Sequence, residues 1–232
     1  MSVQQEIFES ASRGNPTAMF NWGILLHGQG DPEQGQAWIL RAAQAGHPDA
    51  MVIVGAEAFE AGSPGVAEQW FQRSADTGNA EGMFQMGLLA RSRGDDVTAL
   101  TWYRRAADAG HVNALNNIAV VLKGQGRQSE ALEMYRQGAE KGDGVAMINL
   151  GQMLEDDGDR QAALGWYRKA RDAGEDRASD RVERLELVLR RPESDWSGGG
   201  SGRPKYCSDC GSKLVGAGRF CPNCGAATGW DS

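Results

Sequence analysis

The sequence predicts an all-α solenoid: five helix-turn-helix repeats of 32 residues, a capping helix at each end, and a small metal-binding module tethered behind them. Three observations carry this. Glycine returns every 32 residues, at Gly14, Gly46, Gly78, Gly110, Gly142 and Gly174. In step with it run apolar residues at helical spacing. All four cysteines then gather within 18 residues near the C-terminus. Solenoid units bury their apolar faces only against neighbours and so present surface, which favours binding over catalysis.

The copies run 15–46, 47–78, 79–110, 111–142 and 143–174. Four residues into each stands Met19, Met51, Met83, Leu115 or Met147, and three further on Trp22, Val54, Met86, Ile118 or Leu150. Next comes Gly23, Gly55, Gly87, Ala119 or Gly151, and three later Leu26, Ala58, Ala90, Leu122 or Leu154. These spacings share one helical face and define the first helix of each repeat. It ends near Gly30, Gly62, Gly94, Gly126 or Gly158, a residue suited to a helix stop.

A second amphipathic stretch follows, such as Val97 to Asp108. Its inner face carries a small residue (Gly35, Ala67, Ala99, Ala131, Ala163), then Trp38, Trp70, Trp102, Met134 or Trp166, then Ile39, Phe71, Tyr103, Tyr135 or Tyr167. Small residues opposite large ones let helices interlock. As a core residue, Trp102 truncated to alanine would cost about 3–5 kcal/mol. Asn15, Asn79 and Asp143 are placed to cap the next helix. Residues 3–13 read as a lone capping helix, and residues 176–190 as a polar terminal one, so the array is expected to occupy 1–191.

On these residues the chain resembles the tetratricopeptide repeat superfamily and, within it, the Sel1-like branch. Trp102-Tyr103-Arg104-Arg105-Ala106-Ala107-Asp108-Ala109-Gly110 and Trp166-Tyr167-Arg168-Lys169-Ala170 look strongly Sel1-like, and the resemblance covers about residues 3–190. It implies a right-handed superhelix that scaffolds protein complexes. The 32-residue period is shorter than is usual in either branch, and the second copy, with Ser63-Pro64-Gly65 in its turn, is the least faithful.

The resemblance puts the first helices on the concave side. There Phe20 and Ile24, then Phe84 and Leu88, make a second stripe, with an amide-rich column at Asn21, Ile53, Gln85, Asn117 and Asn149. An amide row suits the main chain of an extended peptide. Phe20, Phe84 and Leu88 read equally well as packing between neighbouring helices. His27, His47 and His111 are the only histidines; the last two share the capping column and read as turn residues. The Gly-Gln-Gly runs at 28–30 and 124–126 recur at the repeat turn without the strand a phosphate loop needs.

Residues 192–204 form a Gly/Ser-rich linker expected to act as a flexible tether. Behind it, in 205–232, Cys207-Ser-Asp-Cys210-Gly and Cys221-Pro-Asn-Cys224-Gly place four thiolates in two knuckles, which suits one structural Zn²⁺. Disulfides, a redox dithiol and iron compete for the same residues. The segment looks like the short zinc ribbon appended to many bacterial proteins.

Net charge is −7 overall, but from Arg203 onward four basic residues face two acidic ones, leaving the array 20 against 29. An acidic array is a poor grip for a phosphate backbone. The Met-Ser-Val-Gln-Gln-Glu start lacks a basic region and an apolar core, so no secretory signal is expected and the cytoplasm is the default. No catalytic motif appears. The sequence thus favours a non-enzymatic adaptor for a protein partner, with a zinc ribbon as accessory contact and a nucleic-acid role through that ribbon as the alternative.

Overall fold

The structure, a computed structural model, describes residues 2–190. Their helices are α1 (Val3–Ser12), α2 (Pro16–Gly28), α3 (Pro32–Gln44), α4 (Pro48–Glu60), α5 (Pro64–Asp76) and α6 (Ala80–Ser92). There follow α7 (Asp96–Asp108), α8 (Val112–Gly124), α9 (Gln128–Glu140), α10 (Gly144–Asp156), α11 (Arg160–Asp172), a 3₁₀ turn (Asp176–Ala178) and α12 (Ser179–Leu189). Among the described residues there are twelve α-helices and no strand, the all-helical repeat architecture the period predicts. The linker and the four cysteines lie outside the described residues.

The local code explains the regular element length. Prolines open α2 to α5 at the first turn, where no amide donor is lost. Asn15, Asn79 and Asp143 cap as expected, accepting from the amides of Ala18 (2.9 Å), Gly82 (2.8 Å) and Ala146 (3.1 Å). A second capping column was not singled out in the sequence: Asp31, Asp95 and Asp159 accept from Gln34 (3.1 Å), Thr98 (3.0 Å) and Ala162 (2.9 Å) to start the second helices. Each stop from α1 to α11 uses a glycine at positive φ. At Gly46 (φ 101°), the amide of His47 returns to the Ala42 carbonyl and that of Gly46 to Ala43, a Schellman closure.

The described chain falls into two compact units, up to Ala131 and from Leu132 on. In the first, each hairpin is pinned by a close approach between a first-helix glycine and a large second-helix side chain. A methyl group on Gly87 would sit 2.5 Å from the Tyr103 ring, and one on Gly55 would sit 2.6 Å from Phe71. Tyr103 is fully buried and Phe71 is 3% exposed. In the second unit Gly151 meets Tyr167 in the same way, at 2.7 Å.

This revises one expectation. The tryptophan column is only half-buried, and the column after it is the deep core. On a helix adjacent residues point about 100° apart, so only one of them can face the glycine. The tryptophans turn to the side and are covered by a cation three residues on: Arg41 lies 4.8 Å from the Trp38 ring, Arg73 4.5 Å from Trp70, Arg105 4.3 Å from Trp102, and Lys169 4.0 Å from Trp166.

The second unit closes with a polar lock. Arg184 on α12 grips Glu155 of α10 with two nitrogens (2.6 and 2.8 Å), and Arg181 reaches Gln152 (2.9 Å) and the Tyr167 hydroxyl (3.3 Å). The Tyr167 hydroxyl in turn donates to Glu155 (3.2 Å). Burial above all pushes the Tyr167 phenol up to about 12. The last first-helix thus has its free face covered by the chain itself.

Tyr103→Ala should lose about 3–5 kcal/mol in urea unfolding, whereas Trp102→Ala should lose clearly less, because only the tyrosine side chain leaves a sealed cavity. Equal losses, or a larger one at Trp102, would reverse the assignment of the two columns.

Candidate functional site

The faces of the first helices turned away from their own hairpin partners form the candidate site. In the first unit, Phe20 and Phe84 are half-buried, and each stacks flat on a histidine that opens the next repeat. The ring centroids are 4.4 Å apart for Phe20–His47 and 4.1 Å for Phe84–His111, both at 14°. Packing between neighbours therefore describes these two rings. Ile24 (46% exposed) and Leu88 (36% exposed) remain open, as does Phe59 (47%).

The histidines are structural, but not identically so. Nδ1 of His47 accepts from the Ala50 amide (3.3 Å) as a helix cap. His111 makes no such cap and instead meets Glu81 through Nε2 at 2.9 Å. Burial holds the His47 imidazole below its ordinary value, with Asp49 opposing. The bond to His111 holds the Glu81 carboxyl low against its own desolvation.

The amide column is engaged internally. Gln85 donates to Glu81 one turn back (2.7 Å); Asn117 donates to the Asn113 carbonyl (3.2 Å) and accepts from Arg91 (3.4 Å). Asn21 is exposed and Ile53 half-buried; Asn149 lies half-buried on α10 in the second unit and is itself engaged.

One concavity stands out in the first unit. Between α4 and α6, with Phe71 of α5 at its base, lies a cleft of about 370 Å³ walled by Phe59 and Leu88 and edged by Glu60, Gln85 and Ser92. Gln85 and Leu88 were legible as groove residues from their columns. Glu60 and Ser92 were not, because they belong to helix ends 32 residues apart that meet only when consecutive repeats stack. Glu57, one turn before Glu60, accepts from Gln36; partial burial raises its carboxyl, His27 lowers it and Glu60 raises it further.

Among the described residues no group of three or more histidine, cysteine, aspartate or glutamate side chains is arranged to hold a metal, and no helix is long and apolar enough to cross a membrane. The predicted zinc ligands Cys207, Cys210, Cys221 and Cys224 lie outside those residues.

Comparison with known proteins gives the repeats their names. A Sel1 repeat family model matches residues 16–47, 48–79 and 80–111, and a tetratricopeptide repeat model matches 112–141 and 145–175. The fold is similar to a Sel1 repeat protein from Oxalobacter formigenes, at 27% identity and a TM-score of 0.67, over 81% of this chain and 84% of that one. It is also similar to c5321, a protective antigen of uropathogenic Escherichia coli strains displaying an SLR fold, at 25% identity and a TM-score of 0.67, over 77% of this chain. The match spans only 43% of c5321. The Cut9–Hcn1 hetero-tetramer of the APC/C shares the fold alone, at 14% identity and a TM-score of 0.59, over 78% of this chain and 39% of that one. No curated protein matches the sequence.

His47 gives a pH test. Its folded value lies below 6.5, so the unfolded chain takes up the proton first and stability falls as pH drops below about 6.5. Glu81 acts lower, losing its contribution as pH falls below about 4.5. His47→Asn keeps a cap acceptor and removes the titration. Its urea midpoint should therefore decline less between pH 7 and 5 than that of the parent; parallel declines would show that His47 does not titrate in this environment.

Proposed function

We propose that this chain of Sel1 and tetratricopeptide repeats is a non-enzymatic scaffold that holds a protein partner on the open faces of its first helices. The observation that carries the reading is a cleft between two first helices that is walled by exposed apolar side chains. Ile24, Phe59 and Leu88 lie on first helices, and the last two wall a cleft, although each could have been polar at no cost to the hairpin core. The second helices also expose Leu40, Val66 and Val97, while their outward-facing tryptophans are covered by cations.

The excess of acid over base in the array, 29 against 20 residues before Arg203, supports a protein partner over nucleic acid. Affinity capture from the source organism's lysate, with and without nuclease, should return the same proteins in both halves. A catch that disappears with nuclease would replace the scaffold by a nucleic-acid role.

Cys207, Cys210, Cys221 and Cys224 are read as the four ligands of one structural Zn²⁺ in an accessory contact module at 205–232. The support is chemical: two matched knuckles of soft thiolates in a segment too small for a core of its own. Purified protein should carry one zinc per chain by elemental analysis. EDTA should remove it while leaving the far-ultraviolet helical signal nearly unchanged. A metal content near zero after expression in zinc-supplemented medium would reject the ligand set. A large helical loss on chelation would make tail and array one folding unit.

A further inference from the structure

The cleft between α4 and α6 combines an apolar floor with an edge rich in hydrogen-bond acceptors. Phe59, Leu88 and Phe71 supply the apolar surface. The Ser92 hydroxyl spends its proton on the Leu89 carbonyl (2.8 Å), and Gln85 donates to Glu81 (2.7 Å). Ser92 is left with lone pairs, Gln85 with its carbonyl oxygen and one N–H, and Glu60 adds a carboxylate. A ligand matched to this edge brings mainly donors.

The charge at the same place departs from that of the other first helices of this unit. A helix C-terminus carries partial negative charge and favours cations in its last turn. α2, α6 and α8 comply, ending with His27, Arg91 and Lys123, whereas α10 ends in Glu155 and Asp156, of which Arg184 neutralises Glu155. In α4 the last turn holds Glu57 and Glu60 and no basic residue. Among the described residues no lysine or arginine forms an ion pair with either. Arg91, across the cleft on α6, is engaged with Asn117 of α8. Two carboxylates and a helix end thus add their potentials beside an exposed phenylalanine, and Gln36 and His27 offset Glu57 alone, leaving Glu60 exposed without a cation.

We infer that this cleft seats a basic, apolar-anchored peptide segment of the partner: a large aliphatic or aromatic side chain enters between Phe59 and Leu88, and a lysine or arginine near it in sequence pairs with Glu60 and Glu57. This rests on the scaffold reading and deepens it. A volume of about 370 Å³ is at the small end for a ligand site, suiting an anchor side chain rather than a folded surface. The acceptors of Gln85 and Ser92 take main-chain amides beside the anchor. Ligands with acidic flanks are repelled by the end of α4, so the site selects by charge as well as by shape.

The test pans a phage-displayed random dodecapeptide library on the full-length protein and measures the best synthetic peptide by fluorescence anisotropy. Enriched sequences should pair a large apolar residue with a nearby lysine or arginine. Leu88→Asp should abolish binding, and Glu60→Lys should weaken it by about tenfold or more, as for loss of a close charge pair. Asp108→Lys, an exposed charge reversal on α7, should leave it unchanged. Circular dichroism melts confirm that the variants remain folded. Acidic or purely polar enriched sequences, no enrichment, or affinities indifferent to both cleft substitutions would each overturn the inference. If cleft variants still capture the same lysate partners as the parent, the cleft assignment falls and the scaffold reading stands; if the parent itself captures none, the scaffold reading falls with it.

Discussion

The hairpins of the first, second, third and fifth repeats depend on one contact, the meeting of a first-helix glycine with a large second-helix side chain; the fourth has Ala119 in that place. Gly87 and Tyr103, Gly55 and Phe71, and Gly151 and Tyr167 approach so closely that any β-carbon on the glycine would enter the ring. A glycine inside a helix costs about 1 kcal/mol against alanine. Sealing a tyrosine from water returns more than that, and Tyr103 and Tyr167 are both fully buried. The tyrosine docks only where the glycine admits it, which fixes the rotation of each helix about its own axis. The adjacent tryptophan is then swung off the core, and the arginine or lysine one turn later closes over it.

Fixing that rotation also decides what remains for a partner. Once one face of a first helix is spent on its hairpin, the next face over meets the following first helix or stays open. Phe20 and Phe84 meet a neighbour through His47 and His111. Gln152 and Glu155 are taken by Arg181 and Arg184 of the terminal helix. Phe59 and Leu88 stay open because the side chains between them, Ala56 at the helix surface and Phe71 below, are too small or too deep to fill the gap. Binding surface here is what the packing rule leaves over.

Most of the fold was legible in the sequence because each structural device occupies one position per period. The glycine stops, the capping asparagines and the apolar columns all recur at 32 residues and are found in place. The Trp–Tyr order was not legible: both residue types are large and apolar, and only the distance to the glycine separates them. The amide column showed the same limit. The residue types at Gln85 and Asn117 could be read from the sequence, but their bonds to Glu81 and Asn113 depend on side-chain reach along the helix. The cleft was half legible, since its walls follow the columns while Glu60 and Ser92 come together only through the stacking of consecutive repeats.

Repetition makes departures informative. In a fold where every repeat solves the same packing problem, a position that deviates and is compensated nearby speaks of stability. Glu155 with its half-buried arginine fork is such a case. A position that deviates without compensation has some other cause. The acidic last turn of α4 lies beside exposed Phe59, in the repeat whose turn departs furthest from the pattern, at Ser63-Pro64-Gly65. Its carboxylates gain nothing from their own helix end and something from any cation brought to it. At the end of α4 the local rule fails beside an exposed apolar pair, Phe59 and Leu88, and that coincidence, more than either feature alone, marks the cleft as built to be filled.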